Sequence, residues 1–374
     1  MMRIAIARET DSAEDRVAAT PETVRKMKGL GADVVVEPGA GLKSGIPDGE
    51  FAAAGATIAK DGFMDADVVL KVRRPAASEL NGYKRGALVI AIMDPYGEDA
   101  ALKAMADAGI TAFAMELLPR ITRAQVMDVL SSQANLAGYR AVIDAAAEYG
   151  RALPMMMTAA GTVPAAKVFV MGAGVAGLQA VATARRLGAI VTATDVRPAA
   201  KEQVESLGAK FIAVEDEEFK AAETAGGYAK EMSENYRAKQ AALVAEHIKT
   251  QDIVITTALI PGRKAPVLVS EDMVKTMKPG SVIVDMAVEQ GGNCPLSEFG
   301  KTVEKYGVKI VGPANLPGEL ATDASSLFAR NLLNFITPMV DKETKALKID
   351  TNDEVVKGTL VTQAGQVVHP SLQS

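Results

Sequence analysis

Between residues 167 and 195 the apolar run Val168-Phe169-Val170-Met171 leads straight into Gly172-Ala173-Gly174-Val175-Ala176-Gly177. An acidic residue, Asp195, follows about twenty positions later. This spacing suits the chemistry of holding a pyrophosphate. Gly172 permits a tight turn, Gly174 lets backbone approach the phosphates, and Gly177 lets the next helix pack on the sheet with its first N–H groups aimed at the anion. Ala173 and Val175 complete the phosphate turn. Three glycines alone also fit an ordinary turn; the strand before them, the helical pattern through Leu187 and a second strand at 190–194 ending on Asp195 separate the two readings. Asp195 is expected to accept ribose hydroxyls and to repel a 2′-phosphate, which selects NAD(H) over NADP(H). Val196 and Arg197 follow it, and Arg197 reads either as a phosphate-seeking cation or as a solvated surface charge.

Other chemistry is sparse. His247 and His369 are the only histidines and Cys294 is the only cysteine, so no metal-ligand spacing and no disulfide framework exist. Cys294 reads as structural, and the two histidines as structural or exposed. No metal is expected.

The elements that position these residues repeat twice. Short apolar strands at 3–7, 32–36, 68–72, 87–93 and 111–114 alternate with helical patterns, and a second series runs at 167–171, 190–194, 210–214, 252–256, 281–285 and 308–311. The expected fold is α/β: two Rossmann-like, doubly wound domains joined by long helices, with the NAD site in the cleft. The N-terminal domain comprises 1–125 plus 335–374, and the nucleotide-binding domain 140–325. One long helix is expected over 123–148, interrupted only by Gly138, then a linker around Pro154. Residues 215–240 break the strand rhythm with Gly226, Gly227 and Tyr228 and read as an inserted mobile loop. A helix is expected at 323–337. Residues 348–368 alternate like a β-hairpin turning near Ala364-Gly365, suited to the first domain or to another subunit.

Composition narrows the function classes. The 374 residues carry 48% hydrophobic and 23% charged residues, 32 Gly and 4% aromatics, the profile of a folded α/β protein with room for two cores. Lys and Arg number 41 against 46 Asp and Glu, and no basic run is interleaved with aromatics, which argues against a nucleic-acid partner. The first residues turn charged at Arg8 and Glu9, too soon for a signal peptide, and no apolar run approaches the roughly 20 residues of a membrane span. No direct membrane insertion is expected.

Several longer motifs occur in one order: Glu14-Asp15-Arg16-Val17-Ala18 with Pro21, then 119–128 (PRITRAQVMD), 131–141 (SSQANLAGYRA), Gly226-Gly227-Tyr228-Ala229-Lys230, 256–262 (TTALIPG) and Gly291-Gly292-Asn293-Cys294. On these the chain resembles, over nearly its whole length, the soluble NAD(H)-binding component of proton-translocating transhydrogenases, relatives of alanine dehydrogenase. The resemblance implies that Arg120, Gln125 and Asp128 hold the nicotinamide end with Ser131 nearby, and that Ile121, Thr122, Val126 and Met127 line the same stretch. On residue types alone, Arg120 or Arg123 would instead form a salt bridge with Asp128 at a helix N-terminus. Tyr228 corresponds to the residue that a mobile loop brings to the cofactor, and Gly227, Gln240 and Leu259 match residues lining the NAD site.

The implied reaction is NADH + NADP⁺ → NAD⁺ + NADPH, direct hydride transfer to NADP(H) held on a partner component and coupled elsewhere to proton movement. It needs orientation and exclusion of water rather than an acid or base. The implied assembly is a homodimer joined to a membrane-spanning subunit and an NADP-binding subunit, cytoplasmic and peripherally attached to the inner membrane. Alanine dehydrogenase is the competing enzyme. It uses a histidine after an early strand, where this chain has Met93-Asp94-Pro95; Arg16 and Lys71 match its substrate-binding positions and read here as remnants. A non-catalytic NAD-sensing module would share every binding residue.

Overall fold

The β-branched runs near the N-terminus form strands Arg3–Ile6, Asp33–Val36, Thr57–Ile58, Val68–Arg73, Leu88–Ile92 and Thr111–Ala114 in the computed structural model, which describes residues 2–221 and 232–373. Numbered as the chain meets them, these parallel strands lie in the order 3-2-1-4-5-6. Strands Leu360–Gln363 and Gln366–Val367 extend the edge antiparallel, completing an 8-stranded sheet. Alternation along each strand fills both faces: Ile4 and Ile6 enter one core with Val34, Val36 and Phe113, while Ala5 enters another with Val69, Val89 and Met105.

The second unit repeats the plan. Strands Lys167–Met171, Ile190–Thr194, Lys210–Phe211, Ile253–Thr256, Val282–Asp285 and Val308–Gly312 are parallel and again run 3-2-1-4-5-6. An antiparallel edge strand, Lys301–Lys305, was not foreseen; its side chains are largely exposed and charged, so it lacks the apolar signature of the inner strands. Val168 and Val170 face one core, Phe169 and Met171 the other. Both halves are Rossmann-like and doubly wound, as expected.

The units are Met1–Gln133 with Pro317–Ser374, and Ala134–Leu316. The return to the first unit comes at Pro317 rather than near 325–335, because helix Ala321–Ile336 buries Phe328, Leu332, Phe335 and Ile336 in the first unit's core.

Four segments differ from expectation. The long helix starts at Val129, not at residue 123, after a 3₁₀ stretch Thr122–Met127. Asp128 stops the helix there: it takes an extended ψ of 96°, and its carboxylate accepts from Ser131 N–H at 3.0 Å, an N-cap. Beyond Pro154 the chain forms a small hairpin, Met156–Thr158 with Gly161–Val163, in place of a plain linker. In the tail only 360–367 is a hairpin, turning on Ala364 and Gly365 at φ 50° and 81°; the preceding residues form helix Glu354–Thr359, capped by Asp353. The hairpin pairs with Thr111–Ala114 of its own unit. Residues 215–240 also hold helix Glu217–Lys220 and the start of helix Glu234–Ile248, whose N-cap Ser233 donates to Glu218 at 2.7 Å. Buried Phe219 stacks against Tyr236 and pins these pieces down. Gly226, Gly227 and Tyr228 lie outside the described residues.

Candidate functional site

In a sheet of order 3-2-1-4-5-6, loops leaving the first and fourth strands diverge to opposite faces and leave a crevice beyond their C-terminal ends. In the second unit these are the ends of Lys167–Met171 and Ile253–Thr256, and the glycine turn lies there. The three glycines have different reasons. Gly172 sits at φ 103°, and a β-carbon on it would lie 2.4 Å from Thr257 Oγ1. A β-carbon on Gly177 would lie 1.8 Å from Gly172 O. Both are required by the fold. Gly174 has an ordinary φ of −75° and nothing within 4 Å of where a β-carbon would stand. The fold does not need that glycine, whereas a ligand approaching the backbone would. Gly174 is also the N-cap of helix Val175–Arg186, and no side chain caps that end. Backbone N–H groups without an intrahelical partner therefore remain for an anion. Gly138, on helix Val129–Glu148, permits close packing here, since a β-carbon would stand 2.0 Å from Ala176 O.

Asp195 ends the second strand, but its carboxylate is not empty. Oδ2 accepts from Ala173 N–H at 2.7 Å and from Arg197 Nη2 at 3.1 Å; Oδ1 accepts from Arg197 N–H at 2.8 Å and from Arg197 Nε at 3.0 Å. Those four bonds fill the usual acceptor capacity of a carboxylate. Arg197 is therefore an ion-pair partner rather than a solvated charge, and it must yield before Asp195 can accept two ribose hydroxyls. Asp195→Asn should weaken NADH by about tenfold or more, the worth of a charge-assisted hydrogen bond, while strengthening NADPH through the released Arg197. Nucleotide fluorescence titrations read both; a variant rejecting NADPH as firmly as the wild type contradicts the assignment.

Val175, Val196 and Leu259 are exposed, available to a ligand. Gln240 is committed differently: its side-chain carbonyl accepts from Val214 N–H at 2.9 Å and its amide donates to Thr194 Oγ1 at 3.1 Å. That leaves it bracing the strand end. His247 shares a 2.8 Å hydrogen bond with Thr192 Oγ1 and packs edge-on to Phe169, and burial lowers its pKa. It is structural. His369 caps Ser371, and Cys294 is buried. Among the described residues no cluster could hold a metal.

In the first unit, Arg120, Thr122, Gln125 and Val126 are exposed and Ile121 is half-buried. Met127 is not a lining side chain: it is 5% exposed within the core, so only its backbone is on offer. Ser131 Oγ donates to Asp128 Oδ2 at 2.5 Å, joining two of the expected residues in one cap. Arg123 pairs with Asp353 at 2.7 Å instead of with Asp128.

The switch point of the first unit is filled by its own charges. Arg16 meets Glu14 with Nε at 2.7 Å and Nη2 at 2.7 Å, and donates to Gln133 at 2.9 Å. Arg73 adds a 2.9 Å contact to Glu14, and Lys71 pairs with Glu79 at 2.9 Å and Glu9 at 3.5 Å. A carboxylate from the chain thus occupies the fork a substrate carboxylate would need. Sequence reading found Arg16 and Lys71 but missed their partners: Glu14 lies only two positions from Arg16, whereas Glu9 is brought to Lys71 by the fold, as is Glu79.

Glu116 is a further acid, half-buried but with its Oε2 fully enclosed. It accepts from the N–H groups of Met93 and Asp94, the latter at φ 42°, and its Oε2 has no partner. Burial pushes its pKa up to about 7. The folded state therefore binds this proton more tightly than the unfolded chain, and the contribution is complete below about pH 4.5 and lost as pH rises through 7. Glu116→Gln should flatten the stability curve between pH 5 and 8 and gain up to about 3 kcal/mol over wild type at pH 8. Urea unfolding across that range checks it.

Two Rossmann-order units, one carrying a glycine turn at its switch point, define a dinucleotide-binding α/β protein. Family models for the alanine dehydrogenase/PNT N-terminal and C-terminal domains match residues 5–137 and 141–370, and the chain belongs to that family. It is 60% identical to the first part of the NAD(P) transhydrogenase alpha subunit of Rhodospirillum rubrum over 379 residues, 99% of each chain. The crystal structure of transhydrogenase from Sinorhizobium meliloti superposes with a TM-score of 0.90 at 63% identity, covering 98% of this chain and 100% of that one. An alanine dehydrogenase of Methanococcus maripaludis is 32% identical over 99% of this chain and 95% of its own. Within the family the chain groups with the transhydrogenase alpha subunits. No helix among the described residues is long and apolar enough to cross a membrane.

Proposed function

We propose that this chain is the NAD(H)-binding subunit of a proton-translocating transhydrogenase, passing hydride from NADH to NADP⁺ held by a partner component. The observation that carries the reading is Gly174, a glycine at a switch-point helix N-terminus that packing leaves unexplained and a pyrophosphate explains. The nucleotide supplies the hydride. The chain anchors phosphates on the backbone of Gly172, Ala173, Gly174, Val175 and Gly177, and takes the adenosine ribose on Asp195 and Val196. Arg120, Gln125, Asp128 and Ser131, with Ile121, Thr122, Val126, backbone of Met127 and Tyr228, hold the nicotinamide end and fix the ring's rotation. Leu259 meets the nucleotide, as Gly227 does on the family resemblance, and Gln240 braces the strand end at Thr194. Transfer from carbon to carbon needs no acid or base, which agrees with histidines spent on structure.

The assembly proposed is a homodimer attached through a membrane-spanning subunit and an NADP(H)-binding subunit to the cytoplasmic face of the inner membrane. The exposed run Met155, Met156 and Met157, which opens the 156–163 hairpin, is an apolar surface on the second unit suited to a second copy. An alanine dehydrogenase reaction is disfavoured by the Glu14 carboxylate in the Arg16 fork and by Asp94 where that enzyme needs a histidine. The test is a titration of the isolated chain with NADH and NADPH, with pyruvate and ammonia added afterwards. NADH binding, weaker NADPH binding and no pyruvate-dependent oxidation are expected; oxidation with pyruvate and ammonia overturns the assignment.

A further inference from the structure

Just beyond the fourth strand of the second unit, residues 258–266 form a loop whose neck is closed by one side chain. Asn293 is fully buried, its Oδ1 accepts from Ala258 N–H at 3.1 Å, and its Nδ2 donates to Ala258 O and to Pro266 O, both at 2.8 Å. Its backbone carbonyl accepts from Leu268 N–H at 2.9 Å and Val269 N–H at 3.0 Å. Entry and exit of the loop are thus clasped by the same residue, while residues 259–264 between them are exposed, Leu259 by 55% and Ile260 by 45%.

The clasp is itself built on a buried carboxylate. Asp285 is fully buried, and it accepts from Ala287 N–H, Asn293 N–H and Thr256 Oγ1 on one oxygen and from Cys294 N–H and Ser297 Oγ on the other. Such saturation makes the node rigid. Gly291 and Gly292, at φ 92° and 78°, turn the chain so that Asn293 points back toward the loop. Thr257, the residue before the neck, donates to Gly172 O at 3.1 Å, which ties the loop's root to the glycine turn. Three consecutive residues, Thr256, Thr257 and Ala258, are therefore held to Asp285, to the glycine turn and to Asn293.

We propose that Asn293 is a positioning residue for nucleotide binding: it holds the 258–266 loop so that Leu259 meets the bound NAD(H), in register with the glycine turn. The proposal rests on the functional reading above. An oxygen that accepts from Ala258 N–H beside an NH₂ that donates to Ala258 O and Pro266 O is what an amide offers and what no apolar or purely acidic side chain can. Loop order prepared before binding is entropy not lost on binding.

The test is NADH affinity of Asn293→Ala, Leu259→Ala and the double variant, read by NADH fluorescence in the full chain; the absence of tryptophan removes the overlapping protein signal. Asn293→Ala should raise Kd about tenfold, as expected for losing a net hydrogen bond or two. In the Leu259→Ala background it should add little, because both act through one contact. A folded Asn293→Ala that binds NADH with the wild-type Kd, or effects that simply add, overturns the proposal. Amide hydrogen exchange on the unsubstituted chain provides a second measurement independent of the variant's folding. The amides of residues 259, 260 and 262–264 should gain protection when NADH binds over an already protected Ala258 amide; no gain overturns the proposal. Failure of the unsubstituted chain to bind NADH overturns the functional reading and takes this one with it.

Discussion

Gly174→Ala should fold and melt like the wild type and bind NADH about tenfold to a hundredfold more weakly, the loss of one or two phosphate hydrogen bonds. The added methyl meets no protein atom within 4 Å and the backbone angles suit any residue. Stabilisation from a stiffer unfolded chain, about 0.4–1 kcal/mol, roughly offsets alanine's poorer N-cap preference. Gly177→Ala should fail differently. Its methyl would stand 1.8 Å from Gly172 O, a backbone atom that cannot turn aside, so helix and turn must part. Both NADH binding and the melting temperature should fall. Calorimetry and fluorescence titration separate the cases: if Gly174→Ala binds like the wild type, the nucleotide does not approach that backbone.

Arg16→Ala should cost about 3–5 kcal/mol at pH 7, the usual penalty for stranding a buried charge. Glu14 would keep Arg73 and the backbone N–H of residue 16 as partners, but would lose the Arg16 guanidinium. In the intact protein burial alone would push the Glu14 carboxyl up, but the hydrogen bonds and charge of Arg16, with those of Arg73, hold it down at about 2. A depressed folded value means that this stability is present above the ordinary carboxylate pKa and is lost as pH falls from about 4.5 toward 2. The wild type should therefore lose about 3 kcal/mol through this group over that window, and Arg16→Ala should lose much less. Urea midpoints at pH 7 and pH 3.5 test both statements, since about 1.4 kcal/mol of that loss should be complete by pH 3.5. A loss under 1 kcal/mol at pH 7 would show the ion pair to be incidental.

Much of this molecule is legible in its sequence because α/β strands announce themselves as short apolar runs. Ten of the inner strands fall on such runs, and the glycine turn carries its own punctuation. The helix expected from residue 123 began late because one side chain, Asp128, competes for the N–H groups that would have continued it backwards. Alternation in the tail reads the same for a strand as for a short capped helix until Asp353 is seen to accept from Val355 and Val356. The exposed edge strand at 301–305 carries no apolar pattern at all.

The site was legible only in part. Gly172, Gly174 and Gly177 declare themselves by spacing, but spacing does not say which of them serves the fold and which the ligand. Arg197 and Asp195 are two positions apart, so their pairing was available in the sequence, though not that four hydrogen bonds would fill the carboxylate. Asn293 was visible as a letter in Gly291-Gly292-Asn293-Cys294, yet its partners lie 27 and 35 residues away. Contacts of that range follow from topology.

The most direct measurement of the central claim is hydride transfer by reconstitution. The purified chain is mixed with NADH and an NADP⁺ analogue, first alone and then with the membrane-spanning and NADP-binding subunits of a transhydrogenase. The account predicts no transfer by the chain alone and transfer of the NADH hydride to the analogue once the partners are added. NADH binding with no transfer in the presence of competent partners would contradict it and leave a nucleotide sensor.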